Sequence, residues 1–356
     1  MGVDLTLIVP PRWGDQPLEV RHSELYKIRV LPCLFTPYPH FHFYPVRIGM
    51  IDADVVYLEE EPWSLVTHQF VRLCIKARKP VIFTTWQTIY KRYPPPFSYF
   101  ERYTFAHAGA AIAGNKEAAA MLRARGFTKP VSIISYGVYP DVFYRRDDSL
   151  LRQKLGLVGS FVIGYVGRVI ASKGIADLIQ AFALLPQHCR LLIVGDGDFR
   201  SEGDRVANSL GVHPRIRWVP QVPSLEVPDY LSVMDALVLP SRTTARWKEQ
   251  FGRVLIEAMA CETPPVGSIS GEIPNVIGDA GLVFPEGDVS TLAEQLLHLV
   301  QNPRLVAELG KRGRQRVLEH FTQKTMAEEV LKLCQKVLLP CSDRVERETM
   351  QVGRAR

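Results

Sequence analysis

Glu249 and Glu257 are separated by seven residues in the run Glu249-Gln250-Phe251-Gly252-Arg253-Val254-Leu255-Ile256-Glu257. The pair straddles the start of a helix, with Gly252 where a ligand can press against backbone N–H groups. A helix N-terminus offers partial positive charge to a phosphate, and each carboxylate can accept hydrogen bonds from sugar or ribose hydroxyls. Val254, Leu255, Ala258 and Met259 are the expected buried stripe of that helix. A second pattern, Gly167-Arg168-Val169-Ile170-Ala171-Ser172-Lys173-Gly174, sets two cations five residues apart between glycines. The glycines admit backbone N–H groups, and a forked guanidinium with a point-charge ammonium suits the two phosphates of a diphosphate. Taken singly, each pattern also fits a solvated surface. Gly195-Asp196-Gly197-Asp198 invites a dinucleotide fingerprint, but Arg200 stands where the third glycine belongs, so a tight strand-to-helix turn is expected and a nicotinamide oxidoreductase loses its support. His40 and His42 alternate with Phe41 and Phe43; with no third ligand they read as a partly buried aromatic segment rather than a metal pair.

Such residues act at the carboxyl ends of parallel strands, where open α/β sheets bind ligands. Short β-branched or Leu-rich runs alternate with helical stretches along the whole chain. The expected strands are Leu5 to Val9, Lys27 to Leu31, Val55 to Leu58, Val81 to Thr84, Ala110 to Ala113 and Val131 to Ile134, then Val162 to Val166, Arg190 to Val194, Ile216 to Val219, Ala236 to Leu239, Pro265 to Gly267 and Leu282 to Phe284. The length of 356 residues favours two doubly wound domains, and 47% hydrophobic with 22% charged residues excludes a disordered or fibrous chain. A net charge of +6 is too small an excess to point to nucleic acid. Cysteines at 33, 74, 189, 261, 334 and 341 lack metal or redox spacing and read as reduced thiols. With no basic flank before the first apolar run and no stretch long enough for a membrane span, a cytoplasmic protein is the default expectation.

In combination, these pieces resemble glycosyltransferase family 4, the retaining, nucleotide-sugar-dependent enzymes of the GT-B fold. The resemblance runs from about Val162 to Thr322 through Gly167-Arg168 with Lys173-Gly174, Val194-Gly195-Asp196-Gly197, Asp235 to Ser241, Glu249 to Ala260, Gly271-Glu272-Ile273-Pro274 and Gly281-Leu282-Val283, all in family order. It implies two Rossmann-like α/β domains facing a cleft: an acceptor-side domain over 1–143, a linker over 144–160, a nucleotide-sugar domain over 161–322, a closing helix over 323–339 and a polar tail over 340–356. By the same resemblance, Arg168, Lys173 and Glu249 are the catalytic set, the two cations holding the diphosphate and Glu249 facing the sugar. Gly167, Val222, Phe251, Gly252, Arg253 and Glu257 bind the donor, Glu257 through the ribose, and Trp218 to Val222 line the base pocket. The leaving phosphate helps to deprotonate the acceptor. Arg and Lys replace the metal ion, so no metal, no Asp-x-Asp metal site and no cofactor are expected.

The acceptor, a glycan or a lipid, is expected on Glu61, Trp86 and Gln87; Gln87 stands near the place of a family histidine and could donate a hydrogen bond but not take a proton. Tyr136-Gly137 matches a turn with an asparagine in the family, and Glu262 occupies a helix end where glycine is common, at a cost of about 1 kcal/mol if left-handed. Arg72, Lys76, Arg78 and Lys79 either touch an anionic membrane surface peripherally or form a solvated helix face. The resemblance also implies that the first βα unit is missing, so that Leu5 to Val9 shifts beside Val55 to Leu58 or the written start is late, with a labile first half. Two other functions stay open: a nucleotide-sugar-binding protein of weak turnover, and a phosphorylase or sugar-nucleotide epimerase.

Overall fold

The computed structural model describes residues 2–13, 16–18, 26–35, 38 and 40–339. The polar tail from 340, and Cys341 within it, lie outside the described residues. All twelve expected strands form, each within a residue of its expected ends. The chain divides into two compact units, one running to Ile134 and resuming at Val330, the other Ser135–Glu329.

The first unit contains β1 (Thr6–Val9), β2 (Arg12–Trp13), β3 (Gln16–Pro17), β4 (Lys27–Val30), β5 (Val56–Leu58), α1 (Leu65–Ala77), β6 (Val81–Thr85), α2 (Phe97–His107), β7 (Ala110–Ala113), α3 (Lys116–Ala124) and β8 (Val131–Ile133). A four-stranded parallel sheet has the order β5-β6-β7-β8. Its strands are apolar on both faces because helices cover it, and Val71, Cys74, Phe83, Ala111, Leu122 and Phe127 are part of one core. The shift of Leu5 to Val9 beside Val55 to Leu58 does not occur: β1 pairs in parallel with β4, Thr6 opposite Lys27. That ribbon joins the unit through side chains, Ile8 and Leu31 packing with Leu58 against Tyr44, Val66 and Phe70. The short β2–β3 hairpin was not expected. Arg72, Ile75 and Lys76 are exposed on α1, and Arg78 ends the helix in the left-handed region, its N–H donating to Cys74 and Ile75 carbonyls.

The second unit contains α4 (Ser149–Leu155), β9 (Phe161–Val166), α5 (Ile175–Ala183), β10 (Cys189–Val194), α6 (Arg200–Ser209), β11 (Ile216–Val219), α7 (Val227–Ser232), β12 (Ala236–Leu239), α8 (Arg253–Ala260), β13 (Pro265–Ser268), α9 (Ile273–Ile277), β14 (Leu282–Phe284), α10 (Val289–Gln301) and α11 (Pro303–His320). Helix α12 (Gln323–Leu338) begins here and ends in the first unit. The six-stranded sheet is parallel with order β11-β10-β9-β12-β13-β14. The order reverses between β9 and β12, which places the ligand crevice outside the carboxyl ends of those two strands.

The two units divide after Ile134, and the stretch expected as a linker, 144–160, lies within the second unit. Residues past 135 are tied into the second unit by long-range bonds: Arg146 donates to Asp229 at 2.8 Å, Arg152 to Asp235 at 3.0 Å, and Asp235 accepts from the Val162 N–H at 2.7 Å. Gly137 does not serve through a left-handed turn. A Cβ there would lie 2.5 Å from the Thr322 backbone, so the glycine permits a close approach of two chain segments. Glu262 is left-handed, φ 58°, and so carries that backbone cost. Among the described residues no helix is long and apolar enough to cross a membrane, and five cysteines are free thiols.

Candidate active site

Two loops meet at the switch point of the second sheet, one after β9 and one after β12. Gly174, left-handed at φ 69°, begins α5 so close to β12's end that a Cβ would lie 1.9 Å from the Pro240 carbonyl oxygen. The Arg242 N–H donates to the Ser172 carbonyl at 2.9 Å. Arg242 also grips the buried Asp177 on α5 through both carboxylate oxygens, and the Thr243 N–H donates to Glu286 at 2.6 Å. The loop from Ser241 to Gly252 is therefore fixed from both sides.

This fixing brings Lys173 and Glu249 together. The Lys173 ammonium donates to the Glu249 carboxylate, the Ser241 hydroxyl donates to the same oxygen at 2.8 Å, and the Trp247 ring lies under Lys173 with its centroid 4.7 Å away. Glu249 is buried. Ser241 ends the quoted run Asp235 to Ser241 but was given no role, and Trp247, just before the Glu249 motif, was not singled out. The Glu249 carbonyl accepts the Glu272 N–H at 3.1 Å, which the left-handed Gly271 allows. A proton donor and a carboxylate thus stand side by side at the carboxyl end of the sheet, able to meet phosphate oxygens and sugar hydroxyls respectively.

Gly167 and Arg168 follow β9 and are exposed; the Tyr165 hydroxyl donates to the Arg168 carbonyl at 2.7 Å. The Gly195-x-Gly197 pair is a packing device. Cβ atoms at Gly195 and Gly197 would lie 2.0 Å from the Gly167 carbonyl and 2.1 Å from that of Val169, so the two glycines let the loop after β10 press against the cation loop. Asp-x-Asp spacing does occur, at Asp52 and Asp54 and at Asp196 and Asp198, contrary to expectation; Asp196 accepts the Gln221 N–H at 2.8 Å.

Gly252 caps α8 in the left-handed region, φ 79°, with no side-chain hydrogen bond to the helix's first N–H groups. Phe251 is buried against Tyr136 and Phe321, and Arg253 lies over the Tyr136 ring at 5.5 Å. Glu257, one turn on, is 3.6 Å from Arg253; burial raises its pKa, and Arg253 opposes the rise. The buried stripe is Leu255, Ile256, Ala258 and Met259, with Val254 only half-buried. The Trp218 ring is covered by Arg200, whose guanidinium carbon lies 4.1 Å from its centroid, and packs against Gly203. Val222 is half-buried in the loop beyond β11.

In the first unit Glu61, Trp86 and Gln87 cluster at the carboxyl ends of β5 and β6. Glu61 accepts the Thr85 hydroxyl at 2.6 Å and the Trp86 N–H at 3.0 Å. Gln87 is buried, and its amide donates to the Ile89 carbonyl of its own loop, so it stabilises that loop rather than reaching outward. His42 is buried, packed edge-on against Tyr44, and shares Glu60 with His40, at 3.7 and 3.3 Å. Among the described residues no group of three side chains could hold a metal ion.

Sucrose-phosphate synthase from Thermosynechococcus elongatus superposes with a TM-score of 0.72 over 94% of this chain and 89% of that one, at 21% identity. Anabaena HepE in complex with UDP gives 0.73 over 87% of this chain and 86% of that one, at 19% identity. With the two parallel sheets described above, these likenesses define the fold as GT-B. Residues 147–316 match the family described as glycosyl transferases group 1. N-acetyl-alpha-D-glucosaminyl L-malate synthase from Bacillus anthracis is 31% identical over 185 residues, 51% of this chain and 47% of that protein. The chain spans about half the length of the curated relatives it matches first.

Proposed function

We propose that the protein is a glycosyltransferase that moves a sugar from a nucleotide diphosphate sugar to a glycan or lipid acceptor, with retention at the anomeric carbon and without a metal ion. The observation that carries this reading is the meeting of Lys173, Ser241 and Glu249 with the Gly252-capped start of α8 at one switch point. The named relatives support it, since HepE is held with UDP and the Bacillus protein is an N-acetyl-alpha-D-glucosaminyl L-malate synthase. Arg168 and Lys173 offset the negative charge that grows on the diphosphate as the sugar leaves, a stabilisation strongest in the transition state. On binding, sugar hydroxyls reach Glu249 while Lys173 turns part of its hydrogen bonding to phosphate. Ribose hydroxyls reach Glu257. The leaving phosphate takes the acceptor's proton, which assigns no nucleophile role to either glutamate.

Thermal shift with UDP-glucose, UDP-N-acetylglucosamine and GDP-mannose selects the donor, because a ligand at a hundred times its Kd stabilises by about 2.7 kcal/mol. The selected donor is expected to be hydrolysed slowly or transferred, and that activity is expected to survive EDTA. Loss in EDTA with recovery on adding a divalent ion would refute the metal-free mechanism. Absence of turnover beside clear binding favours a binding protein. The roles of the two glutamates separate by calorimetry: Glu257→Gln weakens the bare nucleoside diphosphate and the sugar donor alike, whereas Glu249→Gln weakens chiefly the sugar donor. Equal losses for both variants would contradict this division.

A further inference from the structure

The loop that follows β6, Trp86 to Pro96, is held at two points within the first unit. Further along, Arg125 donates to the Lys91 carbonyl, lies over the rings of Tyr90 and Tyr93 at 5.1 and 5.0 Å, and is itself fixed by the buried Glu101. The root of the loop has a different anchor. One oxygen of Glu61 accepts the Trp86 N–H and the other accepts the Thr85 hydroxyl, while that hydroxyl oxygen in turn accepts the Gln87 N–H at 3.2 Å. The Trp86 ring then seats on Gly114, where a Cβ would lie 2.1 Å from it. We propose that Glu61 is a positioning residue for the loop Trp86 to Tyr90, and that the protonation of this one carboxyl sets how firmly the loop is held.

The chemistry is directional. As a carboxylate, Glu61 accepts from both donors and leaves the Thr85 oxygen free to accept from Gln87. As a carboxylic acid it must place a proton, and on the Thr85 side the bond reverses, so that the hydroxyl loses its acceptor and Gln87 shares its own. Burial pushes the Glu61 pKa up to about 7, against the lowering by its two hydrogen bonds, so both forms are populated near neutrality. The charged groups that bear on it are Glu60 from its own loop, which raises it, and His40 from the preceding segment, which lowers it. Tyr93 lies near enough to feel its charge, and the Tyr93 hydroxyl is buried with no hydrogen-bond partner among the described residues. Neutral Glu61 therefore leaves the acceptor-side loop looser than the carboxylate does. Its bearing on the acceptor rests on the glycosyltransferase reading; the titration itself does not.

Tryptophan emission of the full chain from pH 5 to 9, taken as the difference between wild type and Trp86→Phe, needs neither donor nor acceptor. The difference signal is expected to follow one transition with a midpoint near 7, absent in Glu61→Gln. Thr85→Val, which deletes a donor to the carboxylate, is expected to raise the midpoint by about one pH unit, Thr85→Ser to leave it unchanged, and Glu60→Gln to lower it. A transition that survives in folded Glu61→Gln overturns the proposal, as does its absence from the wild type. Should Glu61→Gln fail to fold, an unmoved midpoint in Thr85→Val overturns it equally. Failure here with donor turnover intact leaves the proposed activity standing, and loss of donor binding with the transition intact does the reverse.

Discussion

Arg168→Ala and Lys173→Ala are each expected to lower turnover of the selected nucleotide sugar at least tenfold, and they are expected to differ in what else they do. A charge-assisted hydrogen bond to phosphate is worth about 1.5–3 kcal/mol, a factor of roughly ten to a hundred and fifty. Arg168 is exposed beside the glycine loop, so its truncation is expected to leave the melting temperature near that of wild type. Lys173 is already engaged: it donates to the buried Glu249 and rests on Trp247. Removing it leaves a buried carboxylate with the Ser241 hydroxyl and no cation, which destabilises the fold as well as the transition state. Lys173→Ala is therefore expected to melt earlier than Arg168→Ala and to lose more activity. Steady-state rates and thermal melts of both variants check this. Wild-type turnover in both sinks the diphosphate assignment, and equal melting temperatures would mean that the Lys173–Glu249 pair contributes nothing to the free protein.

Most strands of the two larger sheets were legible because they are short apolar runs bounded by turn residues, the signal of a sheet buried on both faces, whereas β1 and β4 form a largely exposed ribbon. The β2–β3 hairpin carries no such signal, with two residues per strand and Pro17 in one of them. The division after Ile134 involves contacts far apart in sequence, such as Arg314 donating to the Pro140 carbonyl 174 residues away, which no local pattern marks. The site divides in the same way. Residue types and local spacing marked Lys173, Glu249, Gly252 and Glu257, but only the strand order shows that the first two, 76 residues apart, meet each other. For Trp218 and Gln87 the sequence states a side chain's capacity and not its direction. The Trp218 ring lies under Arg200, and the Gln87 amide bonds its own loop. The glycines after β10 looked like a ligand motif and are close-packing residues, a distinction that only the distances to Gly167 and Val169 can make.

Gly271 carries the sharpest remaining test of how the site is held. Its backbone is left-handed at φ 54°, which by itself would make alanine there cost about 1 kcal/mol. The greater effect is steric, because a Cβ would lie 1.9 Å from the Glu249 carbonyl oxygen, a backbone atom that cannot turn aside. Gly271→Ala must therefore push the Glu249 backbone away and break the bond from the Glu272 N–H. The Glu249 carboxylate moves with it, away from Lys173 and Ser241. A displacement of about 1 Å in a positioned group can cost about a hundredfold in rate, so kcat/KM for the sugar donor is expected to fall by about that factor. Binding of the bare nucleoside diphosphate, which is assigned to Glu257 and the start of α8, is expected to change much less. Gly211→Ala is the control: it has the same handedness, φ 67°, and open space where the Cβ would go, so it carries the backbone cost without the clash. If the two variants turn over the donor equally well, Glu249 does not need the position that Gly271 gives it, and its assignment to the sugar is wrong.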